Sequence, residues 1–365
     1  MRKSDVRHLL HVFPSFAVGG AQMRFVTLAN AFGNRYRHTV LALDGDYACA
    51  QRLAGELSVG YMSIDAPKQA TLGNVGRFRR RLRELAPDVL ITYNWGAIEW
   101  AMANILPIAR HIHIEDGFGP EERSAQLRRR VLTRRLVLRR STVVLPSRNL
   151  WRIATATWRL DPRRVHYVPN GIDLQRFTCA GHMARDTVVI GTVAGLRAEK
   201  NISRLLHAFR RISDIEAARL RIVGDGPERG ALRDLAEQLG LAGQIEFVGQ
   251  VDDPSSFYHS FDIFALSSDT EQMPLSVLEA MASGLPIAST DVGDVATMVA
   301  DENRAFVTPL DPGLLAEAIT ALARDPALRA RVGAANQVKA KTDFDQDAMI
   351  ATYAALFDAD MPAGG

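Results

Sequence analysis

The chain has 365 residues, 47% of them hydrophobic and 23% charged, a composition that fits a folded globular protein with room for two domains. It contains no run of about 18 apolar residues, which excludes a membrane-spanning helix. Its two cysteines, Cys49 and Cys179, lack metal-ligand spacing, and the opening MRKSDVRHLLHVFPSF turns polar too soon for a signal peptide, so a reducing cytoplasmic setting is expected.

The net charge of +3 conceals a split. Residues 1–170 hold 27 Lys and Arg against 13 Asp and Glu, whereas residues 171–365 hold 17 against 28. The first half is suited to meet something anionic. Residues 7–13 read as an apolar strand, 14–20 as a turn and 21–32 as a helix, the unit that opens a doubly wound sheet. The turn Val18-Gly19-Gly20-Ala21-Gln22 lacks the G-x-G-x-x-G spacing, so a nicotinamide cofactor is not indicated. Strands at residues 38–43, 59–64 and 88–93 alternate with helical segments, as a parallel sheet requires. The fourth strand ends in Tyr93-Asn94-Trp95-Gly96, with Trp100 close behind. Ligands of open α/β sheets sit beyond the carboxyl ends of strands, so these are acceptor contacts or, equally, core packing.

Residues 110–120 read RHIHIEDGFGP. Glu115 and Asp116 are neighbours on a strand and point to opposite faces, which argues against a two-carboxylate hydrolase. Two arginine-dense stretches flank this segment, one from Arg77 to Arg83 and one from Leu127 to Arg140, LRRRVLTRRLVLRR. In the second, Leu127, Val131, Thr133 to Leu136 and Leu138 give a rough helical stripe. Basic amphipathic helices lie on anionic membrane surfaces, the leading reading, with an ordinary solvated face as the next. Neither stretch has a nucleic-acid motif and Phe78 is the one interleaved aromatic, so no nucleic acid is expected. A strand at 141–145 runs into Pro146-Ser147, and HYVPNGID at 166–173 makes a turn at Pro169, Asn170 and Gly171.

A strand at 187–193 opens the second half and leads into Gly195-Leu196-Arg197-Ala198-Glu199-Lys200-Asn201. Residues 219–223 with Gly224-Asp225-Gly226-Pro227, and 245–248 with Gly249, repeat the pattern of strand then glycine. The densest signal is SSDTEQMPLSVLEAMASGLPIAST at 267–290. Its polar loop ends in Glu271, Pro274 opens a helix where a missing N–H costs nothing, and Gly284 closes it before an apolar strand. Glu279 is the one charge between Gln272 and Thr290. A buried helix carries a charge for a partner or a ligand. At ~1.5 Å rise per residue, Glu279 lies roughly 7–8 Å along the axis from Pro274. The free N–H groups of the first turn would meet phosphate while Glu279 met ribose hydroxyls, which suits a nucleotide diphosphate. A salt bridge to a neighbouring Arg is the other reading. Helices at 311–323, 326–342 and 344–357 and a short tail at 361–365 complete the chain, with no repeats.

Glu271 and Glu279, with seven residues between them, within S-x-x-x-E-x-M-P-x-x-V-L-E-A-M-A-S-G-L-P-I, resemble the signature of retaining glycosyltransferases of family 4. The glycine turn at 18–22, VPNGID at 168–173, the Gly195–Lys200 loop and Thr290 to Gly293 resemble further motifs of that family. The resemblance implies an α/β chain of two facing Rossmann-like domains with a cleft between them, the B-type glycosyltransferase fold. The acceptor domain would span 1–170 and the nucleotide-sugar donor domain 171–343. A helix and tail at 344–365 would return to the first domain. It also implies a metal-independent hexosyltransferase with no cofactor, using a UDP- or GDP-sugar as co-substrate.

In that reading Lys200 and Arg197 grip the diphosphate, although Gly195 holds the usual Arg position. Glu271 contacts the transferred sugar with the backbone N–H groups of Met273 and Leu275, and Glu279 the ribose. Gly19, Gly20, Gly195, Gly224, Gln272 and Pro274 line the donor. The family's His-Gly position holds Asp116-Gly117 here, with His113 three residues earlier, so one of the two does that work. Asn94 and Trp95 are acceptor contacts. The acceptor would be a lipid-linked sugar, lipopolysaccharide core or exopolysaccharide at the inner face of the cytoplasmic membrane. A sugar-nucleotide epimerase or phosphorylase, or a silent nucleotide-sugar-binding partner, are the alternatives.

Overall fold

A computed structural model describes residues 6–64, 67, 70–122, 125–177, 187–213 and 217–360; Cys179 and the expected tail at 361–365 lie outside them. The chain divides into two units, one holding residues to Pro169 and those from Met349 onward, the other Asn170–Ala348.

The first unit is built on seven strands: β1 (His8–Phe13), β2 (Arg37–Ala42), β3 (Val59–Met62), β4 (Val89–Tyr93), β5 (Arg110–Ile114), β6 (Thr142–Leu145) and β7 (Val165–Tyr167). They form one parallel sheet in the order β3-β2-β1-β4-β5-β6-β7. Every residue of β1 and β4 is buried, as in a sheet covered on both faces. The helices are α1 (Gly20–Phe32), α2 (Thr71–Leu85), α3 (Ile98–Ala103), α4 (Arg128–Val137) and α5 (Arg148–Arg152). Phe25, Leu28 and Ala29 of α1 pack with Leu9, Val40 and Ile91 on one face, while Phe78 and Leu82 of α2 pack with Leu10, Leu90 and Trp100 on the other. Trp100, weighed above as a ligand contact, is fully buried and stacks on Phe78 at 4.8 Å between centroids; it is core. Buried strand histidines are internally paired. His11 Nδ1 lies 3.1 Å from Tyr93 Oη and its Nε2 3.0 Å from His38 Nδ1. Burial, and then the neighbouring histidines, push His11 well below the usual imidazole range and His38 down to about 4.

Helix α4 corrects the expected stripe. Arg130, Arg134 and Leu138 face inward, at positions four apart, while Leu132 and Leu136 are 56% and 50% exposed. Arg134 is completely buried. Its Nε donates to Glu115 Oε2 at 3.2 Å and its Nη atoms to the two Glu122 oxygens at 3.2 Å. Arg130 adds Glu122 at 3.1 Å and Glu121 at 2.5 Å. The Arg134 guanidinium also lies about 5 Å from the ring centroids of Trp95, Phe118 and Trp158. Two of the arginines read as a basic surface are thus interior structure.

The second unit carries β8 (Val188–Val193), β9 (Ala218–Val223), β10 (Ile245–Gly249), β11 (Ile263–Leu266), β12 (Ile287–Thr290) and β13 (Val307–Thr308). These are parallel, in the order β10-β9-β8-β11-β12-β13. Its helices are α6 (Leu174–Phe177), α7 (Ile202–Ser213), α8 (Arg229–Gln238), α9 (Ser255–Tyr258), α10 (Leu275–Ala282), α11 (Val295–Met298), α12 (Pro312–Arg324) and α13 (Pro326–Asp343). Val277, Leu278 and Met281 of α10 pack against Phe264, Leu266 and Ile287 of the sheet. A final helix, α14 (Gln346–Asp358), sends Met349, Tyr353 and Phe357 into the core of the first unit beside α1. Both sheets are Rossmann-like. Strand order reverses between β1 and β4, and again between β8 and β11, and loops leaving such a point form a crevice.

Candidate functional site

In the second unit the loops after β8 and β11 are tied together. Ser267 Oγ donates to the Lys200 carbonyl at 3.1 Å and the Asp269 N–H to the Glu199 carbonyl at 2.9 Å. Arg204 reaches the Ser267 carbonyl and the Asp269 carboxylate, each at 2.7 Å. This lacing places Lys200 Nζ 2.6 Å from Glu271 Oε1, which also accepts from Ser268 Oγ at 2.8 Å. The Lys200 and Glu271 side chains are 19% and 11% exposed, so the pair is sheltered yet reachable. Arg197 differs: its side chain is 61% exposed and its Nε lies 2.9 Å from Glu199 Oε1. Gly195, where the family pattern has Arg, leaves open room, with Arg197 Nε 3.8 Å from where a Cβ would stand.

The backbone of Glu271 and Gln272 rests on Gly293. With φ +59, Gly293 would put a Cβ 2.5 Å from the Glu271 carbonyl oxygen, so no side chain fits there. The Asp294 N–H donates to the Gln272 carbonyl at 2.9 Å, and Asn170 Nδ2 to the Met273 carbonyl at 3.3 Å. Pro274 is the extended N-cap of α10 and no side chain caps the helix. The first N–H to bond back is that of Val277, to the Pro274 carbonyl at 3.2 Å, so those of Leu275 and Ser276 precede the helical ladder. Gln272 Oε1 is buried beside this turn without a hydrogen-bond partner among the described residues. The turn therefore offers N–H donors to an anion.

Glu279 lies one turn further along α10. Its partner is not an arginine: Tyr258 Oη donates to Glu279 Oε2 at 2.5 Å. Burial pushes the Glu279 carboxyl above its usual range, with the Tyr258 hydrogen bond pulling the other way. Burial and then the Glu279 charge hold the Tyr258 phenol well above its own range. On the far side of β8, Gly224 has φ +130 and a Cβ would fall 1.9 Å from the Ala194 carbonyl oxygen, so the β9 loop lies backbone to backbone on the β8 loop.

The first unit gathers a separate set of residues at its strand ends. Gly19 is extended and Gly20 opens α1, while Gln22 Nε2 donates to the Ser15 carbonyl at 2.7 Å. Arg24, 5% exposed, grips both oxygens of Asp116 at 2.6 and 2.8 Å, and the carboxylate keeps the buried guanidinium charged. The Asp116 N–H donates to Asn94 Oδ1 at 2.7 Å, and Asn94 sits at φ +55 and ψ 178, backbone that side chains rarely adopt. His113 is completely buried, 2.8 Å from Thr92 Oγ1 and 3.4 Å from Glu115 Oε2. Asp116 is therefore the residue of this segment that the structure brings to an accessible strand end. Trp95, half-buried, lies over Arg130 at 4.8 Å. Sequence reasoning missed Arg24, Tyr258 and Ser268. Arg24 left a signal: it is the one charge in GAQMRFVTLANAF.

Two family models match the chain, Glycosyltransferase Family 4 over residues 18–176 and Glycosyl transferases group 1 over residues 182–339. An exopolysaccharide phosphotransferase of Streptomyces coelicolor is 31% identical over 283 residues, covering 76% of this chain and 29% of that protein. The lipopolysaccharide core biosynthesis glycosyltransferase LpsD of Rhizobium meliloti is 34% identical over 151 residues, 41% of this chain and 44% of its own. The chain thus spans less than half the length of these two relatives. Anabaena HepE, solved in complex with UDP, matches with a TM-score of 0.80 over 96% of this chain and 99% of HepE at 18% identity, which shows a shared fold.

Proposed function

The chain belongs to the glycosyltransferases of family 4 and has their two-domain B-type fold, and on that premise we propose a retaining, metal-independent hexosyltransferase. Its donor is a UDP- or GDP-sugar and its acceptor a lipid-linked sugar or polysaccharide of exopolysaccharide or lipopolysaccharide synthesis. The observation that carries this reading is the Lys200–Glu271–Ser268 cluster beside the uncapped N-terminus of α10, with Glu279 on the same helix. Lys200, Arg197 and the first-turn N–H groups neutralise the departing diphosphate, whose charge grows in the transition state. Glu271 binds hydroxyls of the transferred sugar with the N–H groups of Met273 and Leu275, and Glu279 binds the ribose. The bond from the anomeric carbon to phosphate breaks as that from the acceptor oxygen forms on the same face. The acceptor proton passes to the leaving phosphate. On the acceptor side Asp116, Asn94 and Trp95 meet the saccharide, and the names of the two curated relatives support the acceptor class.

Thermal unfolding with UDP, GDP, ADP, TDP and CMP at millimolar concentration tests the donor site. At a hundred times its dissociation constant a ligand adds about 2.7 kcal/mol. UDP or GDP is expected to raise the second unit's transition by roughly a few degrees, and Glu279→Ala to cut that rise to about half. If no nucleotide moves the transition, the reading fails. An inverted anomeric product would remove the retaining mechanism, and loss of transfer in EDTA the metal independence.

The proposal extends to an anionic membrane surface. The exposed face of α4 joins Leu132 and Leu136 with Arg128, Arg129 and Arg135, the exposed Arg139 and Arg140 follow the helix, and on α2 Leu72 is 90% exposed, with Arg77, Arg80 and Arg83 exposed on the same helix. Helices α2 and α4 both contact α3. Among the described residues no helix is long and apolar enough to cross a membrane, so the contact proposed is peripheral. Flotation with phosphatidylglycerol vesicles should carry the protein up at low salt and release it as salt rises. Leu132→Asp with Leu136→Asp should weaken it. Equal flotation with phosphatidylcholine alone would remove the membrane contact.

A further inference from the structure

Tyr258 ends α9 and is completely buried, its ring 5.7 to 5.8 Å from those of Phe177, Phe261 and Phe264. Inside this aromatic cluster its hydroxyl has one partner among the described residues, Glu279 Oε2 at 2.5 Å. The other carboxylate oxygen, Oε1, has no protein partner among the described residues, and Glu279 is half-buried. A buried phenol can be satisfied by a carbonyl or a serine at far smaller desolvation cost than by a carboxylate. A carboxylate bound at one oxygen and open at the other is a fixed acceptor pointing at something else.

We propose that Tyr258 is a positioning residue of the nucleotide site, locking one oxygen of Glu279 so that the other accepts from the ribose 2′-hydroxyl. This rests on the nucleotide-sugar reading of the second unit. The charged groups acting on Glu279 are Arg176 of α6 and Asp253 before α9, which pair with each other at 2.9 Å. Strands β11 and β12 carry no charged residue, and from α13 it is Gln337 that reaches α10, at the Ala282 carbonyl. Ionised Glu279 is the stronger acceptor for the ribose hydroxyl, so UDP binding weakens as pH falls through its raised carboxyl range. Removing the tyrosine hydroxyl takes away the larger of the two influences that oppose burial, the other being the Arg176 charge, and moves that weakening to higher pH.

The test is calorimetric titration of the wild type, Tyr258→Phe and Glu279→Gln with UDP and with 2′-deoxy-UDP across pH 4.5 to about 8. The wild type is expected to prefer UDP by on the order of tenfold, the scale of one charge-assisted hydrogen bond. In Tyr258→Phe the preference should shrink towards onefold, with 2′-deoxy-UDP binding unchanged and the acid limb for UDP shifted upward. Glu279→Gln should lose the acid limb and narrow the preference. A Tyr258→Phe protein that unfolds like the wild type and keeps its preference for UDP overturns the proposal. Equal weakening of both nucleotides also overturns it, because that is what a purely structural tyrosine would give. A wild type that binds neither nucleotide, nor GDP, overturns the donor reading and this one with it.

Discussion

Replacing Lys200 by alanine lowers kcat and kcat/KM together, by roughly 10²- to 10³-fold, the cost of removing one preorganised group that meets developing charge. The ammonium is held by two elements at once: the β8 loop that carries it, and the β11 loop laced to that loop, whose Glu271 lies 2.6 Å away. A cation so fixed needs no reorganisation when the phosphate bond breaks, and that separates it from the exposed Arg197, whose removal should cost far less. Stability should barely change, since ion pairs with solvent access contribute about 0–1 kcal/mol. Steady-state kinetics with UDP- or GDP-sugar and a thermal melt of the same preparation check both halves. A Lys200→Ala enzyme within threefold of the wild type would take the diphosphate role from Lys200.

The largest stability effect is expected at Arg134. Arg134→Met leaves Glu115 in the interior without its arginine and Glu122 with Arg130 alone, and breaking such a buried pair costs about 3–5 kcal/mol. At roughly 2–4 °C per kcal/mol, the first unit's transition should fall by on the order of 10 °C. Glu115 has no slack, because its Oε1 already lacks a partner among the described residues. Burial alone would raise the Glu122 carboxyl, but the Arg134 hydrogen bond and charge, with hydrogen bonds from Arg130 and the Leu127 N–H, outweigh it and hold the group below its usual range. That contribution is complete above the unfolded carboxyl range and is lost as pH falls through the folded one. The deficit of Arg134→Met should therefore be largest near neutrality and narrow in acid. Adding Glu115→Gln and Glu122→Gln should recover part of it. A melt of Arg134→Met within 2 °C of the wild type would show that the network contributes nothing net.

Much of the fold was legible because parallel sheets write long apolar runs between glycine turns, and β1, β4 and β8 do so plainly. Glu279 was legible through the logic of a lone charge on an apolar helix. The same logic applied to α1 finds Arg24, whose partner Asp116 is far away in sequence and so escaped notice. The arginines of α4 misled for a physical reason. A charged stripe normally faces water, and the carboxylates that draw Arg130 and Arg134 inward stand on a separate segment, at 115 and 121–122. Tyr258 was hidden among the aromatics of FYHSFDIF, where a hydroxyl leaves no periodic mark.

Helix α14 sets the order in which the protein can be made. The first unit holds residues to Pro169, yet Tyr353 and Phe357 lie within its core, about 180 residues later. At about 5–20 residues per second, a ribosome takes roughly 10–35 s to supply them after the first sheet has emerged. The unit synthesised first is thus the one finished last, and until α14 arrives its newborn sheet presents an uncovered apolar seam to chaperones.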